Sequence, residues 1–183
     1  MEWLGVWEGH LLLELRKAVS CDFLDQVMIF VSRLGDNGLI WIGLGVIFLL
    51  LGLWKRSWQK RGLLLLFSLA ANALICNQIL KPLVGRTRPY DLLGYTTLIP
   101  PVGDPSFPSG HTSASFAAAT ALYAMDKRWG IAAYGFAALM GFSRLYLGVH
   151  FPTDVIVGAG VGVGMAKAVQ YFFCKIKNKT SYF

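Results

Sequence analysis

The sequence predicts an all-α integral membrane protein, a single domain over residues 1–183 built as a bundle of five transmembrane helices. Hydrophobic residues make up 55% of the chain and the mean hydropathy is +0.53. Charged residues make up 15%, against roughly a quarter in ordinary soluble domains. The apolar residues also fall in runs close to the roughly 20 residues that cross a bilayer.

Five apolar runs are the candidate membrane spans. They cover residues 38–54, 62–80, 112–125, 129–149 and 155–173. The run 112–125 has only 14 residues, which is short for a crossing unless its outer end begins beneath the membrane surface. We therefore expect a cavity recessed below a loop at this end.

Residues 1–36 are predicted to lie at the membrane interface as amphipathic helices. The apolar stretches 11–18 and 23–34 are too short and too charged to cross by themselves, and helices of this kind bind between headgroups and acyl chains. A sixth crossing in this segment is the open alternative. Glu2, Glu8 and Glu14 interrupt the first fifteen residues, so no cleavable signal peptide is expected.

The basic residues predict an orientation in the membrane. The formal net charge is +7, but the cations do not form the aromatic-interleaved stripe of a nucleic-acid-binding domain, so no nucleic-acid partner is expected. Nine of them lie in segments 55–61, 127–128 and 175–179, which five crossings place on one side. The positive-inside rule makes that side the cytoplasm of a cell-membrane protein. Loop 81–110 and the turn at His150 then face the external or periplasmic side.

The cysteines, and the glycines of the last apolar run, are interpreted as packing residues. The three cysteines, Cys21, Cys76 and Cys174, are odd in number and widely spaced, so they are interpreted as packing residues rather than a disulfide or metal framework. The last run has a glycine at every second position, which favours close helix packing, within the chain or between two copies. These glycines are Gly158, Gly160, Gly162 and Gly164.

A first polar cluster, KPLVGRTRPY, follows the second apolar run. Lys81, Arg86 and Arg88 lie at a membrane boundary, and a cation costs about 2.5 to 3.5 kcal/mol at mid-bilayer and less near the interface. Three cations together call for an anionic partner or water. Snorkelling or attraction to lipid headgroups is the alternative.

A second cluster, FPSGHTSASF, precedes an Ala-rich run. Pro108 and Gly110 end the preceding segment and Ser109 suits a helix N-cap. The free N–H groups and positive dipole end of such a helix bind phosphate oxygens, with His111 beside them. An ordinary capped helix with an interfacial histidine is the alternative.

A third cluster, SRLYLGVHFPTD, joins the last two runs. Arg144 ends one run, His150 lies in the turn, and Pro152 begins the next helix. Asp154 follows His150 by four residues, so its carboxylate can hold one imidazole nitrogen while the other stays free. Asp154 as a simple helix N-terminal acid is the alternative.

With these three clusters the chain resembles the type-2 phosphatidic acid phosphatase superfamily. The family signature is Lys-x6-Arg-Pro, Pro-Ser-Gly-His and Ser-Arg-x5-His-x3-Asp. Here it reads Lys81 to Arg88-Pro89, Pro108 to His111, and Ser143-Arg144 to His150 to Asp154, within residues 81–154.

The resemblance implies a mechanism and a role for each site residue. His150 is the nucleophile that forms a phosphohistidine, Asp154 orients it, and His111 is the general acid. The expected phosphate-binding residues are Lys81, Arg88, Ser109, Gly110 and Arg144. Arg86 lies outside the signature and is expected to contact a second phosphate or the headgroup region.

The resemblance implies a lipid phosphatase whose partners are membrane lipids and a lipid phosphate or diphosphate substrate. Undecaprenyl diphosphate is the leading candidate, with phosphatidylglycerophosphate, phosphatidate and lipid A phosphates as alternatives. No cofactor and no metal are expected, although His111, His150 and an aspartate are metal-ligand types. A non-hydrolytic lipid-phosphate binder or transporter, and vanadate-dependent oxidation on the same site, are the competing classes.

Overall fold

A computed structural model describes residues 2–180, and this part of the chain contains helices and no strand. Residues 1 and 181–183, which belong to the predicted domain, lie outside the described residues. The helices are α1 Glu2–Val19, α2 Asp22–Leu34, α3 Leu39–Leu51, α4 Arg56–Ala73, α5 Lys81–Val84, α6 Pro89–Leu93, α7 Gly110–Met125, α8 Lys127–Tyr146 and α9 Pro152–Thr180. The all-helical prediction is confirmed.

Helices α2 and α3 form a bent pair whose axes differ by 45°. A short 3₁₀ turn, Asp36–Gly38, separates them. Asn37 (φ 52°) and Gly38 (φ 68°) have left-handed backbone conformations, which a continuous right-handed helix excludes. The bend projects this turn against the start of α7, the helix that carries His111.

Helix α4 continues through a π-helical segment, Leu74–Leu80, directly into α5. π-Helical turns are rare and occur frequently at functional sites. Gly85 ends α5 in the left-handed conformation (φ 58°), as is common after a helix C-terminus. This continuous helix carries Lys81 to the end of the bundle where the other two motifs lie.

Helix α7 is the centre of the bundle, and nine of its 16 residues are buried. Two glycines of α9 bring the two helices together. A Cβ on Gly158 would lie 2.8 Å from the Ser109 carbonyl oxygen, and one on Gly162 would lie 2.1 Å from that of Ser113. The close helix packing predicted from the glycine pattern is confirmed within the chain for these two positions, whereas Gly160 and Gly164 face open space.

The cysteine interpretation holds for only one residue. Cys76 is buried, but Cys21, in the junction between α1 and α2, and Cys174, near the end of α9, are exposed. The prediction that all three are packing residues is wrong for these two. An odd number and wide spacing exclude a disulfide framework but do not determine burial, and Cys21 is flanked by the polar residues Ser20 and Asp22.

Two helical stretches are long and apolar enough to cross a membrane: Arg56–Leu93 and Pro152–Lys175. The bent pair α2 and α3 makes a third if it is counted as one span. The predicted count of five is larger than this. Helix α7 has only 16 residues, and α8 carries three cations among its 20 residues. Residues 23–34, predicted to be interfacial, belong to α2, the first helix of the bent pair.

Candidate active site

The three polar motifs converge on one cavity of about 1070 Å³. Six of the eight predicted site residues line it: Lys81, Arg88, Gly110, His111, Arg144 and His150. The other two, Ser109 and Asp154, are fully buried behind the wall. Segments far apart in sequence therefore contribute two imidazoles and three cations to the same space. The depth of this cavity below the membrane surface, which the short run 112–125 predicts, stays a prediction.

His150 lines the cavity, and Asp154 lies buried behind it. Asp154 Oδ2 lies 3.6 Å from His150 Nδ1 and accepts hydrogen bonds from the Ser106 hydroxyl at 2.5 Å and the Phe151 N–H at 2.9 Å. The Ser106 oxygen is also 3.5 Å from His150 Nδ1. These contacts direct Nδ1 toward the carboxylate and leave Nε2 for the cavity.

The imidazole of His150 is uncharged in this environment. It lies in the turn between α8 and α9, and burial lowers its pKa to about 3, with Asp154 opposing the shift and Arg144 and Arg88 adding to it. Nε2 lies 3.4 Å from Arg88 Nη1. A neutral ring with a proton on Nδ1 has its lone pair on Nε2, which is the form that a nucleophilic histidine needs.

Lys81 and Arg88 converge on Asp104, a residue that the sequence analysis did not select. The Asp104 carboxylate accepts hydrogen bonds from Lys81 Nζ and, at 2.5 Å, from Arg88 Nη2. Its side chain is 46% exposed. Burial alone would raise the pKa of Asp104, but Lys81 and Arg88 outweigh that effect and hold the pKa below its usual value. A carboxylate thus neutralises the cations predicted to bind phosphate.

Arg144 has a guanidinium that its protein contacts do not saturate. Nη1 donates to the Ser32 hydroxyl on α2, while Nε is buried and has no hydrogen-bond partner among the described residues. Buried guanidinium N–H groups are almost always paired. Because Arg144 lines the cavity, this free donor favours an anion there.

His111 lies in the first turn of α7 and pairs with Asp36 from the turn between α2 and α3. The distance from His111 Nε2 to Asp36 Oδ1 is 3.0 Å. Gly35 permits the close approach, because a Cβ there would lie 2.8 Å from His111 Cδ2 and 2.7 Å from Met140 Cε. The N-terminal segment, predicted to lie apart at the interface, therefore completes the mouth of the site.

At the N-terminus of α7, backbone groups face the cavity more directly than side chains do. Ser109 is the N-cap residue, as predicted, but its hydroxyl lies 2.9 Å from Thr112 Oγ1 and makes no N-cap hydrogen bond. Its N–H donates to the Asp154 carbonyl at 3.0 Å. Gly110 faces the cavity, and a Cβ there would lie 3.9 Å from Lys81 Nζ. The predicted phosphate-binding role therefore has geometric support at Gly110 rather than at the Ser109 side chain.

Arg86 does not have the partner expected for it. Its Nη1 donates to Asp154 Oδ1 and to Thr153 Oγ1, both at 2.6 Å, and its Nη2 donates to Glu8 Oε2 at 2.6 Å. Arg86 is also absent from the residues that line the cavity. The expected contact with a second phosphate or a headgroup is wrong, because protein carboxylates occupy the guanidinium fork.

In the described ranges no group of three or more His, Cys, Asp or Glu side chains is arranged to hold a metal ion.

The geometry defines a helical membrane protein with a buried, cation-rich cavity and a histidine whose Nδ1 lies 3.6 Å from a buried carboxylate. The model of the PAP2 superfamily matches residues 61–177, and the chain belongs to that family.

Relatives and solved structures agree with this assignment. The chain is 32% identical over 137 residues to an undecaprenyl-diphosphatase of Sulfolobus acidocaldarius, covering 74% of this chain and 64% of that protein. It therefore spans slightly less than two thirds of that relative. It is 32% identical over 173 residues to phosphatidylglycerophosphatase B of Bacillus subtilis, covering 85% and 78% of the two chains. The crystal structure of the first transmembrane PAP2 type phosphatidylglycerolphosphate phosphatase from Bacillus subtilis superposes with a TM-score of 0.77 at 28% identity, covering 92% of this chain and 85% of that one.

Proposed function

We propose that this protein is a membrane lipid phosphatase that hydrolyses a lipid phosphate or diphosphate ester through a phosphohistidine, with undecaprenyl diphosphate as its substrate. The observation that carries the proposal is the shared cavity. A neutral, carboxylate-held His150 faces the same space as Lys81, Arg88 and Arg144. Phosphoryl transfer needs a positioned nucleophile and cations around the equatorial oxygens, and this cavity supplies both.

In the first step His150 Nε2 attacks phosphorus while the bond to the leaving oxygen breaks. The electron pair of that bond moves to the leaving oxygen, which takes a proton from the imidazolium of His111. Asp154 stabilises the positive charge that develops on the ring of His150. Asp36 lies 3.0 Å from His111 Nε2, and the phosphate dianion that enters the cavity supplies the further negative charge that favours the protonated form of His111.

In the second step water attacks the phosphohistidine. His111, now neutral, accepts a proton from that water, the P–N bond breaks, and its electron pair returns to Nε2 of His150. Inorganic phosphate leaves and both histidines regain their starting states. No step needs a metal ion or an organic cofactor.

A lipid substrate suits the composition of the cavity wall. The lining combines the cations and histidines with apolar side chains. The apolar lining residues include Ile42, Leu66, Leu69, Ala70, Ala73, Ile99, Val102 and Ala114. This arrangement accommodates a phosphorylated headgroup with the first carbons of its chain. The name of the Sulfolobus acidocaldarius relative favours a polyprenyl diphosphate, with phosphatidylglycerophosphate, phosphatidate and lipid A phosphates as the alternatives.

We place the protein in the cell membrane with α3, α4, α7, α8 and α9 as five crossings and the site on the external side. Basic segments then lie in the cytoplasm. Five crossings put residues 1–36 on the same side as the motifs, and the contacts of Asp36 with His111 and of Glu8 with Arg86 support this. The exposed thiols Cys21 and Cys174 allow a direct test. In intact cells an impermeant maleimide should label a protein with Cys21 alone and spare one with Cys174 alone, and the reverse pattern would overturn the orientation.

The activity is tested by measuring phosphate release from undecaprenyl diphosphate and from glycerolipid phosphates with the full chain in detergent. We expect release without added metal, highest with the diphosphate, and loss of at least about a thousandfold in a folded His150→Ala variant. Near-normal turnover by that variant would contradict the nucleophile assignment. Equal inactivity of the wild-type protein on all substrates would contradict a phosphatase.

A further inference from the structure

Arg86 joins two buried carboxylates from opposite ends of the chain. Its Nη1 holds Asp154 Oδ1 and its Nη2 holds Glu8 Oε2, each at 2.6 Å. The guanidinium carbon lies 3.9 Å from the centroid of the Phe151 ring, so the planar group packs over the aromatic face. An Arg fork held at both ends and packed on a ring has little freedom to move.

The two oxygens of Asp154 have separate partners. Oδ2 faces the His150 side, where it accepts from Ser106 and from the Phe151 N–H. Oδ1 faces away and contacts Arg86. The carboxylate is fully buried, so rotation away from His150 would require breaking a charge-assisted hydrogen bond. Arg86 therefore fixes the plane of the Asp154 carboxylate, which orients the proposed nucleophile His150.

Glu8 balances the charge that Arg86 brings. It is 2% exposed, although it belongs to α1, far from the motifs in sequence. Its Oε1 accepts the Thr153 N–H at 2.8 Å and its Oε2 accepts the Thr153 hydroxyl at 3.0 Å. The carboxylate thus caps the first turn of α9, the helix that carries Asp154, and pairs with Arg86 at the same time.

The charge of this group bears on the chemistry of His150. Formation of a phosphohistidine makes the ring positive, and a negative charge behind it stabilises that state. Arg86 alone would cancel the charge of Asp154. With Glu8 present, the three groups carry one net negative charge. Glu8 therefore restores the electrostatic support that Arg86 would otherwise remove.

We propose that Glu8 and Arg86 are positioning residues of the phosphoryl-transfer reaction, acting through Asp154 on His150. This inference rests on the proposed phosphatase function. Helix α1 contributes no residue to the cavity lining. Through Glu8 it nevertheless helps to orient the nucleophile. Neither residue touches the substrate, so both act on the rate of phosphoryl transfer rather than on substrate binding.

The test compares Glu8→Gln, which keeps the shape and removes the charge, with Glu14→Gln on the same helix. Glu14 is a matched control because its side chain is 70% exposed and pairs only with Lys17. With the full-length protein and undecaprenyl diphosphate, we expect Glu8→Gln to lower kcat by roughly tenfold or more. KM should change by less than about twofold, because the phosphate cations are untouched. Glu14→Gln should match the wild type.

Two variants, Arg86→Lys and Arg86→Met, distinguish a positioning role of Arg86 from a role in folding alone. A lysine retains the charge but cannot hold both carboxylates, so it should recover only part of the kcat that Arg86→Met loses, with KM again little changed. The double variant Glu8→Gln/Arg86→Lys should lose less than the product of the two single losses, since the residues act as one unit. Thermal unfolding in detergent identifies any variant that fails to fold, and Glu8→Gln then carries the test.

The outcomes distinguish this inference from the proposed function. If the wild type releases phosphate and folded Glu8→Gln has wild-type kcat and KM, the positioning role is overturned and the phosphatase stands. If the wild type releases no phosphate from any lipid, the effect of Glu8 on His150 is measured by the NMR resonance of the His150 Nδ1 proton. Glu8→Gln should shift that resonance and Glu14→Gln should not, and an unshifted resonance in Glu8→Gln overturns the inference.

Discussion

Arg88 holds Asp104 at two points, donating from Nε to its carbonyl oxygen at 2.8 Å and from Nη2 to its carboxylate at 2.5 Å. The carboxylate also accepts from Lys81. An anion of this chain thus contacts the two cations of the first motif that are proposed to bind phosphate. A phosphoryl group that enters the cavity must share these cations with Asp104 or displace it.

Replacing Asp104 with asparagine should therefore tighten the binding of simple anions. We expect the inhibition constant of inorganic phosphate to fall severalfold in Asp104→Asn, because a negative charge that competes for Lys81 and Arg88 is gone. Asp91→Asn is the control, since Asp91 is an exposed acid on α6 that does not line the catalytic cavity. Weaker phosphate inhibition in Asp104→Asn would show instead that Asp104 holds the two cations in their binding positions.

The contact at Gly35 predicts a steric effect on the proposed general acid. In Gly35→Ala the new methyl would meet His111 Cδ2 at 2.8 Å and Met140 Cε at 2.7 Å, so we expect a severalfold loss of kcat as His111 is displaced. Gly43→Ala on α3 is the matched control, because a Cβ there meets nothing within 4 Å. Equal activity of the two variants would mean that the N-terminal turn shifts to accommodate the methyl group without displacing His111.

The role of His111 predicts a dependence on the leaving group. A departing lipid alkoxide needs a proton, whereas the lipid monophosphate that leaves a diphosphate is stable as an anion. His111→Gln should therefore reduce phosphate release from phosphatidylglycerophosphate by roughly a hundredfold or more, and release from undecaprenyl diphosphate much less. The ratio of kcat on the two substrates is the measurement. An equal loss on both would contradict general-acid catalysis by His111.

The buried state of His150 predicts how stability depends on pH. The ordinary pKa of 6.5 falls to about 3 in the folded protein. Between these values the unfolded chain binds a proton at this ring and the folded protein does not, so the free energy of unfolding should decrease as pH is lowered below about 6.5. Thermal unfolding in detergent between pH 7 and 5 measures this decrease. It should be smaller in His150→Gln, and an identical pH dependence would contradict a neutral buried ring.

The motif residues were predictable because their spacing is local. His150 and Asp154 lie four residues apart at the start of a helix, and Gly110 and His111 follow a helix-breaking proline. Each of these patterns fixes a short-range geometry, and the apolar runs around them place the motifs at helix ends. The convergence on one cavity followed from the expectation that these helix ends share a membrane face.

The acidic partners could not be predicted in the same way. Glu8 contacts Arg86 across 78 positions of sequence, and Asp36 contacts His111 across 75. A single acid near an apolar run carries no signal of which distant cation it will meet. Glu8 had only suggested the absence of a signal peptide, and residues 1–36 had been assigned to the membrane interface. The one available indication was that Arg86, beside two expected phosphate ligands, lies outside the family signature.

The link from Glu8 through Arg86 to Asp154 also bears on biosynthesis. Glu8 is made early and Asp154 is made 146 positions later, so the network cannot close until nearly every helix has left the ribosome. A nascent or truncated chain without α9 leaves Glu8 and Arg86 with only each other, and no oriented nucleophile exists. In the proposed mechanism an oriented nucleophile therefore forms only at the end of membrane insertion, when α1 docks against α9.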